Sequence, residues 1–146
     1  MSQSSRPELP EAVKDSLNKA FVNYHEEKNR NNFEGMEKAL LESWDLLPDQ
    51  KLRWNFYSNI IPKFMVGFYR DFHHFDNAVR WLNIIRESYG PELNEPVEFL
   101  AATLDYEMGK LDKAFNEFDI QYKKYGSKVF SEYDNKYFKF YRDYRK

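Results

Sequence analysis

Apolar residues recur along this chain at helical spacing, in stretches separated by short polar or glycine-containing breaks. After Pro10-Glu11, a proline placed to open a helix, come Val13, Leu17, Ala20, Phe21 and Tyr24. This predicted helix ends in the polar run Asn29-Arg30-Asn31-Asn32. A second carries Phe33, Met36, Ala39, Leu40, Ser43, Trp44 and Leu47 and stops at Pro48-Asp49. A third is predicted from about Gln50 to Trp54 as far as Phe72, with Pro62 inside it. Proline removes one backbone bond and clashes with the preceding turn, so a kink or break is expected near Ile60-Ile61. The fourth, about Phe75 to Tyr89, has Ala78, Val79, Leu82, Ile84 and Ile85 as its apolar stripe and Gly90-Pro91 as its stop.

A fifth helix, about Glu95 to Met108, shows two apolar rows: Phe99, Ala102, Thr103 and Tyr106, and Val97, Leu100, Ala101, Leu104 and Met108. A helix covered on two sides suits the first helix of an inner repeat. Gly109 ends it, and a sixth carries Leu111, Ala114, Phe115, Phe118 and Tyr122 to Gly126. Tyr137, Phe138, Phe140, Tyr141 and Tyr144 form a last helix whose aromatics are expected to be buried as a cap.

Two stretches can be laid over each other. Tyr69, His73, Phe75, Ala78 and Leu82 match Asp105, Gly109, Leu111, Ala114 and Phe118, a repeat of 36 residues from Ala78 to Ala114. That period and order of sizes match the helix-turn-helix unit of tetratricopeptide repeats, in which a small residue on the second helix lets the first approach closely. The predicted fold is all-α: a tetratricopeptide-like stack of about three helical hairpins plus a C-terminal capping helix, about seven helices in one domain over 1–146, with 1–9 as a flexible lead. The first two helices read as a diverged repeat in which Ala39 plays the part of Ala78, the spacing of 39 pointing to an insertion or a shifted join. His73 stands where glycine is usual.

Composition narrows the function classes. Aromatic residues make up 18% of the chain, and there are only five Gly and six Pro, which favours long helices. The absence of cysteine excludes disulfides and thiolate metal sites. With neither a signal-like apolar core at the start nor a run of about 18 apolar residues, the expected localisation is cytoplasmic, with no membrane partner. Net charge is −2, but residues 123–146 hold eight basic residues against three acids, leaving a body of about −7 and a tail of about +5. A solvated last helix accounts for the tail, and nucleic acid is not the expected partner.

No catalytic constellation stands out, so an enzyme is not expected, nor is a cofactor. His73 and His74 are adjacent and point about 100 degrees apart on a helix, which does not suit a shared metal. There is no glycine-rich phosphate loop and no Gly-x-Ser-x-Gly turn.

In stacked hairpins the first helices line a concave face, which makes protein binding the expected role. The candidate partner-binding residues are Trp54, Tyr57, Lys63, Phe64, Arg70 and Asp71 on or near the third helix and Glu95, Glu98, Asp105 and Glu107 on the fifth. Trp54, Phe56 and Tyr57 are more aromatics than one face can bury, so one of them is expected as an exposed anchor. Residues 90–119 hold eight acids and two lysines, a charge that would steer a basic partner, with aromatics such as Phe64 or Phe99 supplying affinity.

Residues 54 to 140 resemble small bacterial tetratricopeptide-like proteins in their layout. Trp54-Asn55-Phe56-Tyr57-Ser58 comes first, then Phe75-Asp76-Asn77-Ala78-Val79-Arg80-Trp81. Met108-Gly109-Lys110-Leu111-Asp112-Lys113-Ala114-Phe115 follows, and Asp134-Asn135-Lys136-Tyr137-Phe138-Lys139-Phe140-Tyr141 closes the layout. The resemblance implies an immunity partner of an interbacterial toxin, a protein that binds one toxin domain, such as a basic nuclease, and covers its active site. The competing expectation is a general adaptor or chaperone that holds peptide segments of several partners.

Overall fold

The computed structural model describes residues 6–144. Among the described residues seven α-helices follow one another: α1 Glu11–Asn29, α2 Phe33–Asp45, α3 Tyr57–Asp71, α4 Phe75–Tyr89, α5 Glu95–Glu107, α6 Leu111–Tyr125 and α7 Asn135–Asp143, with a 3₁₀ turn at Ser127–Phe130 before the last. No strand occurs among the described residues. Three-residue connectors join α1 to α2, α3 to α4 and α5 to α6. Links that short force each pair into a tight hairpin, and the three hairpins stack in chain order with α7 closing the end.

All three connectors are the same device. Asn31, His73 and Gly109 adopt left-handed backbone, with φ of 56°, 59° and 83°. The residue after each donates its N–H five positions back, from Asn32 to Glu27 O, His74 to Tyr69 O and Lys110 to Asp105 O. The left-handed residue itself donates three positions back, to Lys28, Arg70 and Tyr106 respectively. This double bond pattern satisfies the carbonyls at a helix end and turns the chain sharply. The stops of α4 and α6 match as well: Gly90 has φ 86°, ψ −164° and Gly126 φ 76°, ψ −167°, a region that only glycine enters freely.

His73 holds the left-handed position without a glycine's freedom. Its ring stacks on Phe75 at 5.2 Å and lies 3.8 Å from the Glu107 carboxylate. Both contacts are exposed to water on the histidine side, so they offset only part of the backbone cost of about 1–2 kcal/mol. His73→Gly is therefore expected to raise stability by a few tenths to about 1 kcal/mol in urea unfolding. A loss of stability would show that the ring contacts outweigh the strain.

The connectors also settle the register of the first hairpin. Met36 stands three residues into α2 as Ala78 does in α4 and Ala114 in α6, so Met36, not Ala39, is the positional counterpart of the two alanines. The left-handed residues are 42 apart in the first interval, Asn31 to His73, and 36 in the second, His73 to Gly109. The extra six residues all lie between α2 and α3, where the connector spans 46–56 against 90–94 between α4 and α5.

Two further expectations are corrected. Residues 50–54 are not helical; α3 starts at Tyr57 and continues unbroken through Pro62, which is wholly buried. The later start places Pro62 near the beginning of the helix, so only one early bond is forgone. Residues 6–9 are docked rather than loose. Leu9 is buried in the main core, and the Arg6 guanidinium donates to Leu52 O at 3.1 Å, to Ser88 Oγ at 3.1 Å and to the Ser88 carbonyl. Residues 1–5 lie outside the described part of the chain.

The core has two parts. A large one joins the first two hairpins to one row of α5 through Leu17, Leu40, Ile61, Met65, Leu82 and Leu104. A smaller aromatic one, built from Phe99, Phe118, Phe130 and Tyr137, ties α5 and α6 to α7. Both rows predicted on α5 are thus used, one in each part. Ala78 and Ala114 have no solvent exposure at all.

Candidate functional site

The first helices of the hairpins, together with α7, frame a concave groove. Its wider part, about 760 Å³, lies between the end of α1, the middle of α3 and the start of α7. Two narrower recesses of about 280 and 210 Å³ open beside Phe56, one toward α1 and the other toward α5. Ile60 borders all three.

Phe56 governs the aromatic end. It is 57% exposed, and its backbone stands at φ 65°, ψ −59° with Tyr57 N–H donating to Asn55 O at 2.7 Å. That is a γ-turn centred on a bulky residue, a conformation costing on the order of 1–3 kcal/mol. The surroundings impose it. Asn55 N–H donates to Pro7 O at 2.9 Å and the Asn55 amide reaches the Glu8 carboxylate, while Trp54 N–H donates to Ser58 Oγ at 2.8 Å. The N-terminal segment is therefore a strap across the long connector, holding the turn that presents Phe56 to solvent. Phe64, two turns along α3, is 42% exposed.

The structure separates the predicted site residues into two groups. Tyr57, Lys63, Phe64, Arg70 and Asp71 border the groove. Trp54 does not; it is buried in the core with Arg53 stacked at 4.6 Å from its ring. The exposed anchor of that aromatic triplet is Phe56. Phe99 is likewise a core residue, 2% exposed.

The four acids of α5 do not form an open acidic face. Glu95 meets Lys124 at 3.2 Å and accepts from Tyr125, and these bonds hold its carboxyl below the usual range. Glu98 accepts two bonds from Arg86, the shorter 2.9 Å. Asp105 lies 3.7 Å from Lys113, largely buried, and burial raises its carboxyl above the usual range. Glu107 receives Tyr137 Oη at 2.9 Å and Lys136 Nζ at 2.6 Å. None of the four borders the groove. Glu98 and Asp105 line a separate recess on the α6 side, with Arg86 and Lys113 among its neighbours. These pairings join neighbouring helices and neighbouring turns of the stack.

Arg70 is a largely buried cation at the groove, 9% exposed. Its Nε donates to Asp71 Oδ1 and its Nη1 to Thr103 Oγ1, each at 2.9 Å, and the guanidinium lies 5.6 Å from the centre of the Tyr137 ring. No group of three or more metal-ligating side chains gathers among the described residues, and none of the described helices is long and apolar enough to cross a membrane. His73 stacks on Phe75 and His74 on Phe33.

Sequence reasoning identified the helix that lines the groove but missed Phe56 as its anchor. The available signal was the crowding of aromatics at 54–57; the γ-turn that selects the middle one depends on the strap. A scan against protein-family models returns no match for this chain, and searches of curated proteins and of solved structures return none either.

Proposed function

We propose that this protein is a binding module that holds part of a partner protein in the groove along α3. The observation that carries this reading is Phe56: a large apolar side chain kept in solvent, in a costly backbone conformation, by contacts from the N-terminal strap and from Ser58 at the start of α3. Strain of that kind is retained where it serves recognition more often than where it serves folding. With Phe64 it forms a pair of aromatic anchors of the sort that dominate interface energetics.

The resemblance of residues 54–140 to bacterial tetratricopeptide-like immunity proteins suggests that the partner is a toxin domain. Neutralisation would then be steric: the bound module covers the toxin's active site, without turnover. An adaptor that accepts segments of several proteins is the second reading, favoured by the openness of the groove along three adjoining recesses.

The test is affinity capture from native lysate with the wild-type chain beside Phe56→Ala and Phe64→Ala. A stoichiometric partner lost from both variants supports the module, and truncation of either anchor should weaken binding about 30-fold if it is a hot spot. One partner whose toxicity the wild type suppresses supports immunity, whereas several weak partners support the adaptor. Capture undiminished by both truncations would place the binding face elsewhere.

A further inference from the structure

A row on α3 indicates what the groove recognises. Lys63, Gly67 and Arg70 are spaced i, i+4 and i+7 and so share one face of the helix, and all three border the wide part of the groove. Lys63 also borders the narrow recess between Phe56 and α5, where it is the only charged residue among the described ones; the recess toward α1 is lined by no carboxylate, lysine or arginine among them. Lys63 makes no ion pair among the described residues.

Arg70 has two of its three nitrogens committed, Nε to Asp71 and Nη1 to Thr103, and Thr103 in turn donates to Leu100 O at 2.6 Å. Nη2 remains. Gly67 stands beside it: a side chain at this position would meet the Arg70 Nη2 at 3.7 Å and nothing else within 4 Å. Glycine inside a helix is destabilising relative to alanine, and packing does not demand it here. Arg70 as a whole is only 9% exposed, and the glycine keeps any Cβ from standing against its Nη2.

Around the wide part the charges nearly balance, with Lys28, Lys63, Arg70 and Lys136 set against Asp71, Glu132 and Asp134. Asp71 is engaged by Arg70, Asp134 accepts the Lys136 N–H at the start of α7, and Lys136 is bound to Glu107. Lys28 and Glu132, at opposite rims, carry one charge of each sign. The positive charge left without an ionic partner is therefore that of Lys63, the one charged residue among those lining the recess between Phe56 and α5.

We infer that the groove takes a segment of a partner protein carrying an acidic side chain next to a bulky apolar one. The carboxylate sits on Lys63 and the free edge of Arg70, and the apolar group lies between Phe56 and Phe64. A guanidinium fixed in advance and facing a carboxylate gives directional recognition at little further ordering cost. This inference rests on the groove being the binding face, as proposed above.

The experiment is selection of a random dodecapeptide phage library on the purified full chain. The strongest sequence is then made as a fluorescein-labelled peptide and titrated by anisotropy. Enriched sequences should place Asp or Glu within two residues of Phe, Trp or Leu. Affinity should fall about tenfold or more with Lys63→Glu, with Gly67→Leu, and with the peptide's acids changed to their amides. Melting curves of both variants serve as the folding check, and Gly67→Leu keeps the test independent of charge reversal on the protein. Basic or uncharged winners, no enrichment, or affinity unchanged by both substitutions would overturn the inference. So would a dimer seen by light scattering that Lys63→Glu dissolves, because the occupant would then be a second copy. A captured partner that tolerates Lys63→Glu and Gly67→Leu yet is lost with Phe64→Ala would leave the binding module standing and remove only the carboxylate reading.

Discussion

Truncation of Tyr137 to alanine is expected to cost about 3–5 kcal/mol, the range for emptying a fully buried aromatic site, and to lower the melting temperature by about 10 °C or more. Tyr137 has no solvent exposure and sits at the centre of the aromatic core between α5, α6 and α7. Its ring meets Tyr106 edge-on at 5.5 Å and Phe118 at 6.2 Å, and its hydroxyl donates to Glu107. Burial pushes the phenol well above its ordinary range, so the group stays neutral at any working pH. Tyr137→Phe separates the two contributions: it keeps the ring and removes one bond to a carboxylate that Lys136 still holds, for a cost of about 1–2 kcal/mol. Thermal and urea unfolding followed by circular dichroism measure both. A cost under about 1 kcal/mol for the alanine variant would mean that α7 is not part of the cooperative unit, and the α7 wall of the groove would lose its support.

The second large effect concerns the close crossing within a hairpin. Ala78→Leu should destabilise by about 1–3 kcal/mol, and by more if α3 cannot shift, because three carbons must enter space that is already filled. Ala78 has no exposed surface, and Ile61 and Met65 of α3 belong to the same core with no exposure themselves. Ala114→Leu carries the same expectation in the third hairpin. The matched control is Ala12→Leu on the exposed face of α1, expected to lie within about 0.5 kcal/mol of wild type. Equal tolerance at positions 12 and 78 would show that the small residue is incidental and that the hairpin packing does not depend on it.

These two sites mark different depths of legibility. The 36-residue spacing of Ala78 and Ala114 was visible in the sequence because a repeat writes the same local requirement twice: a left-handed turn, a helix start, a small residue one turn in. Most helix ends were visible for the same reason, since Gly90, Gly109 and Gly126 mark backbone that other residues enter at a cost. The first repeat was harder to align. Its turn uses Asn31, its close position is Met36, and six extra residues precede α3, so counting from Ala39 produced a register that the turns overrule.

The site was legible only in part. Lys63, Phe64 and Arg70 follow from α3 being a first helix, whose concave row can be counted by helical period. The pairing of the α5 acids was not legible, because net charge along a chain says nothing about partners brought from elsewhere: Lys124 reaches Glu95 across 29 residues and Lys136 reaches Glu107 across the same number.

What the sequence determined by itself is the set of helices, the hairpin repeat and the all-α class, because periodicity and turn chemistry act over a few residues. Tertiary structure decided which aromatic is displayed and which charges stay open. Arg6 binds Ser88 across 82 positions, and the strap it anchors holds the turn at Phe56. Gly67 acquires meaning only beside the Nη2 of Arg70. Such pairings depend on where distant segments meet once the hairpins stack, and no local spacing records that.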